Sequence, residues 1–183
     1  MNFDKILDLL IEDTVGKSLG LFAPEIALCA TIIGLLLVRL VNVDRWLPAY
    51  WVALGGAIVA FGLVYCQFDA MKQGGTTQYL FTGLLVYDQF GVFFRLFLLL
   101  FLVLVIALTV ISGIPDNEDG PDFYTLLLGA TLGMMLMVSA NNLLILFLGI
   151  EMTIVPSYVM VGFLKGRKLS SEAALKYVVF GAG

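Results

Sequence analysis

"FGVFFRLFLLLFLVLVIALTVI", residues 90–111, carries a single charged side chain, Arg95, in a stretch long enough to cross a lipid bilayer. About 20 predominantly apolar residues suffice for a spanning helix at a rise of roughly 1.5 Å per residue. The whole chain follows suit. Of its 183 residues 61% are hydrophobic and 13% charged, with a mean hydropathy of +1.02. Too few polar side chains remain to cover a water-soluble core.

Four further apolar runs flank this one, at about residues 24–41, 46–66, 123–140 and 143–164. A sixth begins near residue 171 and reaches Gly183 after about a dozen residues, too few to cross. The expectation is an all-α, polytopic transmembrane helix bundle, with five complete spans and a truncated sixth, no strands and no internal repeat. Pro24 and Glu25 suit the first turn of the first span, where a missing N–H is no loss and a negative charge meets the helix dipole. Trp46, Tyr50, Trp51 and Tyr65 read as an interfacial aromatic belt on the second. Residues 1–18 read as an amphipathic segment on the membrane surface, with Phe3, Ile6, Leu7 and Leu10 on its apolar face. Its acidic start and lack of a small-residue cleavage pattern argue against a signal peptide.

Composition also excludes function classes. A net charge of −4 offers no basic face for nucleic acid. With no histidine, the usual ligands of membrane haems and most zinc sites are missing. Cys29 and Cys66 stand singly in apolar runs, without the spacing of an iron–sulfur or disulfide framework. The expectation is a chain with no cofactor of its own.

Lys and Arg favour an outside N-terminus. Arg39, Arg45, Lys165, Arg167 and Lys168 then fall on inner loops, against Lys5, Lys17 and Lys72 outside. The acidic loop "PDNEDGPD", residues 115–122, becomes cytoplasmic, as a solvated loop or as a contact for a basic partner. Asp88 reads as a helix cap or interfacial anchor. Arg95, near the start of its span, reads as a snorkelling cation able to pair with Asp88 or with another chain.

The most informative polar residue stands in "GIEMTIVPSYVMVGF", residues 149–163. Glu151 lies about eight residues, or roughly 12 Å, into the fifth span. An unpaired carboxylate there costs several kcal/mol when ionised, so its protonation depends on what surrounds it. That property suits a proton carrier. Pro156 frees the carbonyl of Met152 and permits a kink beside the glutamate. Tyr158, seven residues on, returns to nearly the same face and can extend a polar track. The alternative is a neutral glutamic acid bonding helix to helix, with Pro156 an ordinary membrane kink. In "SSEAALKY", residues 170–177, Glu172 and Lys176 stand in the favourable order for an i,i+4 ion pair, and Ser170 or Ser171 can cap the helix. Lys176 is either a proton-relay residue or a lysine that snorkels and marks topology.

Taken together, residues 123–183, with "LFLGIEMTIVPSYVMVGF" and "SSEAALKY" as the most specific stretches, resemble the antiporter-like membrane subunits of proton-pumping NADH:quinone oxidoreductase (respiratory complex I), in the branch of subunit N. "APEIAL" and "YDQFGVFFR" are similar to the family's first and third helices. The resemblance implies a proton-translocating subunit of the bacterial inner membrane, in contact with lipid and with other membrane subunits of complex I. NADH, flavin, iron–sulfur clusters and quinone are expected in partner subunits. It assigns Glu151 to the family's proton-handling charge pair and Lys176 to its charged central axis. It also implies a broken seventh helix with the principal lysine, and a second inverted half, beyond Gly183. An Mrp-type cation/proton antiporter subunit shares the fold, although "SSEAALKY" tilts against it. A non-catalytic membrane scaffold, with Glu151 as helix-to-helix glue, is the reading from a different class.

Overall fold

The computed structural model describes residues 11–40, 48–113, 120–163 and 168–181. The apolar runs form α1 (Ala23–Leu40), α2 (Ala49–Lys72), α3 (Gln89–Ser112), α4 (Gly120–Ser139) and α5 (Leu143–Val161), followed by α6 (Lys168–Gly181). The first five are long and apolar enough to cross a membrane. Residues 1–10 of the expected amphipathic segment, Trp46 and most of the acidic loop lie outside the described residues. A π-helical stretch, Glu12–Ser18, and a short α-helical turn, Leu19–Leu21, lead into α1.

Side-chain chemistry sets the helix ends. Phe22 leaves helical geometry (φ −90°, ψ 8°) just before Pro24, and the Leu21 carbonyl accepts from Gln67 Nε2 of α2 at 3.0 Å. Asp88 caps α3 by accepting from the Gly91 N–H at 2.7 Å. Left-handed Gly113 (φ 67°) closes the same helix. Asn142 caps α5 by accepting from the Leu144 N–H at 3.0 Å, leaving a very short link between α4 and α5.

Helix α4 packs against α1, α2, α3 and α5 and is the centre of the bundle. Of its apolar window 44% is buried, against 22% for each of α1 to α3 and 6% for α5. It is also the least hydropathic of the five spans. A helix surrounded by protein does not need a lipid-compatible surface, whereas α3 turns Phe93, Phe97, Phe101 and Leu104 outward. Ala53, Ala57 and Ala60 of α2 are wholly buried, small side chains that let helices approach. The α4–α5 contact is closer still. A Cβ on Gly133 would stand 2.9 Å from the Gly149 carbonyl oxygen, and one on Gly149 would stand 2.9 Å from that of Gly133.

One element departs from the all-helical expectation. Strands β1 (Gln78–Leu80) and β2 (Leu85–Tyr87) form an antiparallel hairpin, with Tyr79 opposite Val86. Phe81 and Thr82 at its tip both have left-handed backbones (φ 51° and 57°), a conformation that costs about 1–2 kcal/mol per non-glycine residue. Neighbouring segments hold them there. The Phe81 N–H donates to Ser18 Oγ and the Thr82 N–H to Asp13 Oδ2, each at 3.0 Å. Asn141 Nδ2 donates to the Gly83 carbonyl at 2.8 Å, and the Asn141 N–H donates to that of Leu84 at 3.1 Å. The hairpin thereby ties the segment before α1 to the α4–α5 link.

The glycine contact yields a first prediction. Gly133→Ala or Gly149→Ala forces backbone apart and lowers stability by about 1–3 kcal/mol, read as earlier thermal unfolding of the detergent-solubilised protein. Gly129→Ala, with open space at its Cβ position, leaves the unfolding curve in place.

Candidate functional site

Glu151 lies near the middle of α5. This helix meets α4 through Gly149 and Thr153: Thr153 Oγ1 donates to the Gly149 carbonyl at 2.9 Å and lies 3.4 Å from that of Ala130. At 100° per residue, Glu151 falls on the opposite side from both. Its side chain is exposed, facing away from the bundle. Among the described residues nothing pairs with it. The carboxylate that the sequence puts well inside the fifth apolar run is therefore in mid-helix but outward in direction.

Pro156 lies inside α5, as expected. One residue on, Ser157 Oγ donates to the Ile154 carbonyl at 2.6 Å and stands 3.4 Å from the Tyr177 hydroxyl. Tyr158 packs edge-on against Tyr177, with ring centroids 5.1 Å apart, and its hydroxyl closely approaches Gly181. So Tyr158 joins α5 to α6, and no described contact connects it with Glu151. Lys176 pairs with Glu172, Nζ to Oε1 2.7 Å, with both side chains well exposed. The i,i+4 pair is present. Helix α6 meets α5 along Ser170, Ala174, Tyr177 and Gly181, which leaves Glu172 and Lys176 on its opposite face. Ser170 Oγ donates to the Val161 carbonyl at 2.9 Å, so it bonds back to the preceding helix. The structure does not bring Glu151 and Lys176 together.

It brings together a different pair. Arg95 Nη2 of α3 lies 2.9 Å from Glu25 Oε1 of α1, with side chains 1% and 0% exposed. Arg95 Nε donates to Ser139 Oγ of α4 at 3.0 Å, and that hydroxyl donates to the Met135 carbonyl at 3.1 Å. Tyr87 of β2 stands close by. Burial lifts its phenol above the ordinary tyrosine range, against a smaller opposing pull from the Arg95 charge. The snorkelling reading of Arg95 is thus corrected: the guanidinium turns inward because a carboxylate in the bundle compensates it. The signal was present in the chain. Spans one and three run in the same direction, so Glu25 and Arg95, each near the start of its span, share one membrane face. At the other end Arg39 pairs with Asp122, a half-exposed contact of small energetic weight.

Residues 140–182, which hold Glu151, Pro156, Tyr158, Glu172 and Lys176, match the family described as NADH:quinone oxidoreductase/Mrp antiporter, TM. The fold is similar to a chain of respiratory complex I from Thermus thermophilus with bound aureothin, with a TM-score of 0.66 at 25% identity, covering 87% of this chain and 33% of that one. The chain belongs to the antiporter-like membrane-subunit family of NADH:quinone oxidoreductases. Within that family its likeness is to subunit N. It is 34% identical over 155 residues to NADH-quinone oxidoreductase subunit N 1 of Koribacter versatilis, covering 79% of this chain and 30% of the relative. It is 35% identical over 167 residues to subunit N 2 of Chloroherpeton thalassium, covering 88% and 31%. The chain spans about a third of the length of these relatives.

The buried pair makes a second prediction. Removing one partner strands a charge in the apolar interior, so Glu25→Leu or Arg95→Met alone destabilises the subunit by about 3–5 kcal/mol. The double variant recovers most of that loss, because neither charge is then left alone. A double-mutant cycle on unfolding of the full-length subunit checks this; additive losses would contradict the pairing.

Proposed function

We propose that this chain is part of a proton-translocating membrane subunit of an NADH:quinone oxidoreductase, and that Glu151 and Lys176 take part in moving protons. The observation that carries this reading is the position of Glu151. An ionisable group near the middle of a membrane-spanning helix is kept at a cost of several kcal/mol, and here its side chain is exposed, with no partner on α4 or α6 among the described residues. Helix-to-helix glue within this bundle would point inward. An outward carboxylate is suited to meet a cation supplied by protein beyond the bundle, and relatives about three times as long have such protein to supply.

The mechanism is electrostatic. Moving a cation toward or away from Glu151 in a low-dielectric setting changes the proton affinity of both groups. Pro156 leaves the Met152 carbonyl without its usual amide donor, so α5 can bend beside the carboxylate. Lys176, held to Glu172 on the open face of α6, is a second mobile charge whose partner can be exchanged. Quinone reduction elsewhere in the complex would drive these changes. Flavin, iron–sulfur clusters, NADH and quinone belong to partner subunits in this reading. The setting is the bacterial inner membrane, with the hairpin on the outer side. The family description also covers Mrp antiporters, but the subunit N relatives favour the oxidoreductase.

The test is proton pumping per NADH oxidised in inside-out vesicles, with Glu151→Gln in the full-length subunit assembled into its complex. A marked loss of pumping with assembly intact is expected. Unchanged pumping would reduce Glu151 to a structural role and sink the proposal.

A further inference from the structure

The Glu25–Arg95 pair is wholly buried, yet its polar atoms are not satisfied by each other. Glu25 Oε1 and Oε2 and Arg95 Nη1 and Nη2 have no aligned hydrogen-bond partner among the described residues. The 2.9 Å approach of Nη2 to Oε1 is an ion contact lying off the N–H direction. Only Arg95 Nε is well placed, on Ser139 Oγ. An unsatisfied buried polar group is costly, and a charged one more so. Four in contact is a large cost for an otherwise aliphatic core.

The two halves of the site make opposite demands. The carboxylate oxygens require donors, and the guanidinium nitrogens require acceptors. A bound cation would suit Glu25 but be repelled by Arg95, and no cluster of three or more His, Cys, Asp or Glu side chains stands ready for a metal among the described residues. A bound anion would suit Arg95 and be repelled by Glu25. One neutral species both donates and accepts at the same point. We infer that Glu25, Arg95 and Ser139 form a water-binding site inside the bundle, in which ordered water bridges the carboxylate and the guanidinium beneath the hairpin.

Buried water makes about three hydrogen bonds on average and settles where polar groups converge, and here α1, α3 and α4 bring polar side chains to one place. The site is separate from Glu151 and independent of the role proposed for it. It makes the hairpin end of the bundle a hydrated polar centre, while the middle of the core, at Leu99, Ile106 and Leu128, stays aliphatic.

Two measurements on the intact complex test this. Cryo-electron microscopy at a resolution that shows ordered water should reveal density within hydrogen-bonding distance of both a Glu25 oxygen and an Arg95 Nη. X-ray radiolytic footprinting, which labels side chains beside bound water, should mark Tyr87 and Leu28 well above the equally buried Leu99 and Ile106. The double variant Glu25→Leu/Arg95→Met should bring Tyr87 and Leu28 down to the level of those controls. A dry, directly bidentate Glu25–Arg95 pair, a metal ion in the density, or labelling no higher than at Leu99 would each overturn the inference.

Discussion

A carboxylate and a guanidinium can stay buried in an apolar bundle only if they face each other, and the hairpin end of this structure is arranged around that requirement. Glu25 fixes where α1 begins relative to α3. Arg95, through Ser139, fixes the end of α4 against both. The hairpin then closes over the same end, bonded to the segment before α1 on one side and to Asn141 on the other. The link to α5 starts from Asn141 and Asn142, so the placement of that helix and of Glu151 depends on the buried pair several residues away.

The bundle thus handles its membrane-level charges in two ways. Glu25 and Arg95 are turned inward and matched to each other, on three helices that the chain itself supplies. Glu151, Glu172 and Lys176 are turned outward, on the two helices least enclosed by the rest. Charges matched inside a rigid core hold structure. An outward carboxylate in mid-helix is open to a partner from elsewhere, and a partner that can move is what the proposed proton transfer needs.

The helical architecture was legible in the sequence because hydropathy over about 20 residues is a local property. Asp88 was legible as a helix cap for the same local reason. The hairpin was hidden, since each strand is three residues long and its turn places Phe81 and Thr82, poor left-handed formers, at positive φ. Contacts from Asp13 and Ser18, more than sixty residues away in sequence, decide that geometry. Arg95 was misread because snorkelling is judged from one helix, whereas burial depends on what a neighbouring helix offers. Glu151 stands near the middle of its helix, where the apolar run put it. Its direction depends on which face Gly149 and Thr153 commit to α4, and a periodicity argument on an almost uniformly apolar helix does not reveal that.

If Glu151 carries protons, the face of α5 that bears it is covered by protein rather than lipid in the assembled subunit. A spin label at Glu151→Cys in the full-length subunit, with Cys29 and Cys66 replaced and the protein in lipid nanodiscs, measures this through collision with dissolved oxygen. Labels at Phe101→Cys and Met135→Cys supply the lipid-facing and buried references. Oxygen accessibility at position 151 should then lie close to that at 135. Accessibility equal to that at 101 would place the glutamate against lipid and contradict that role.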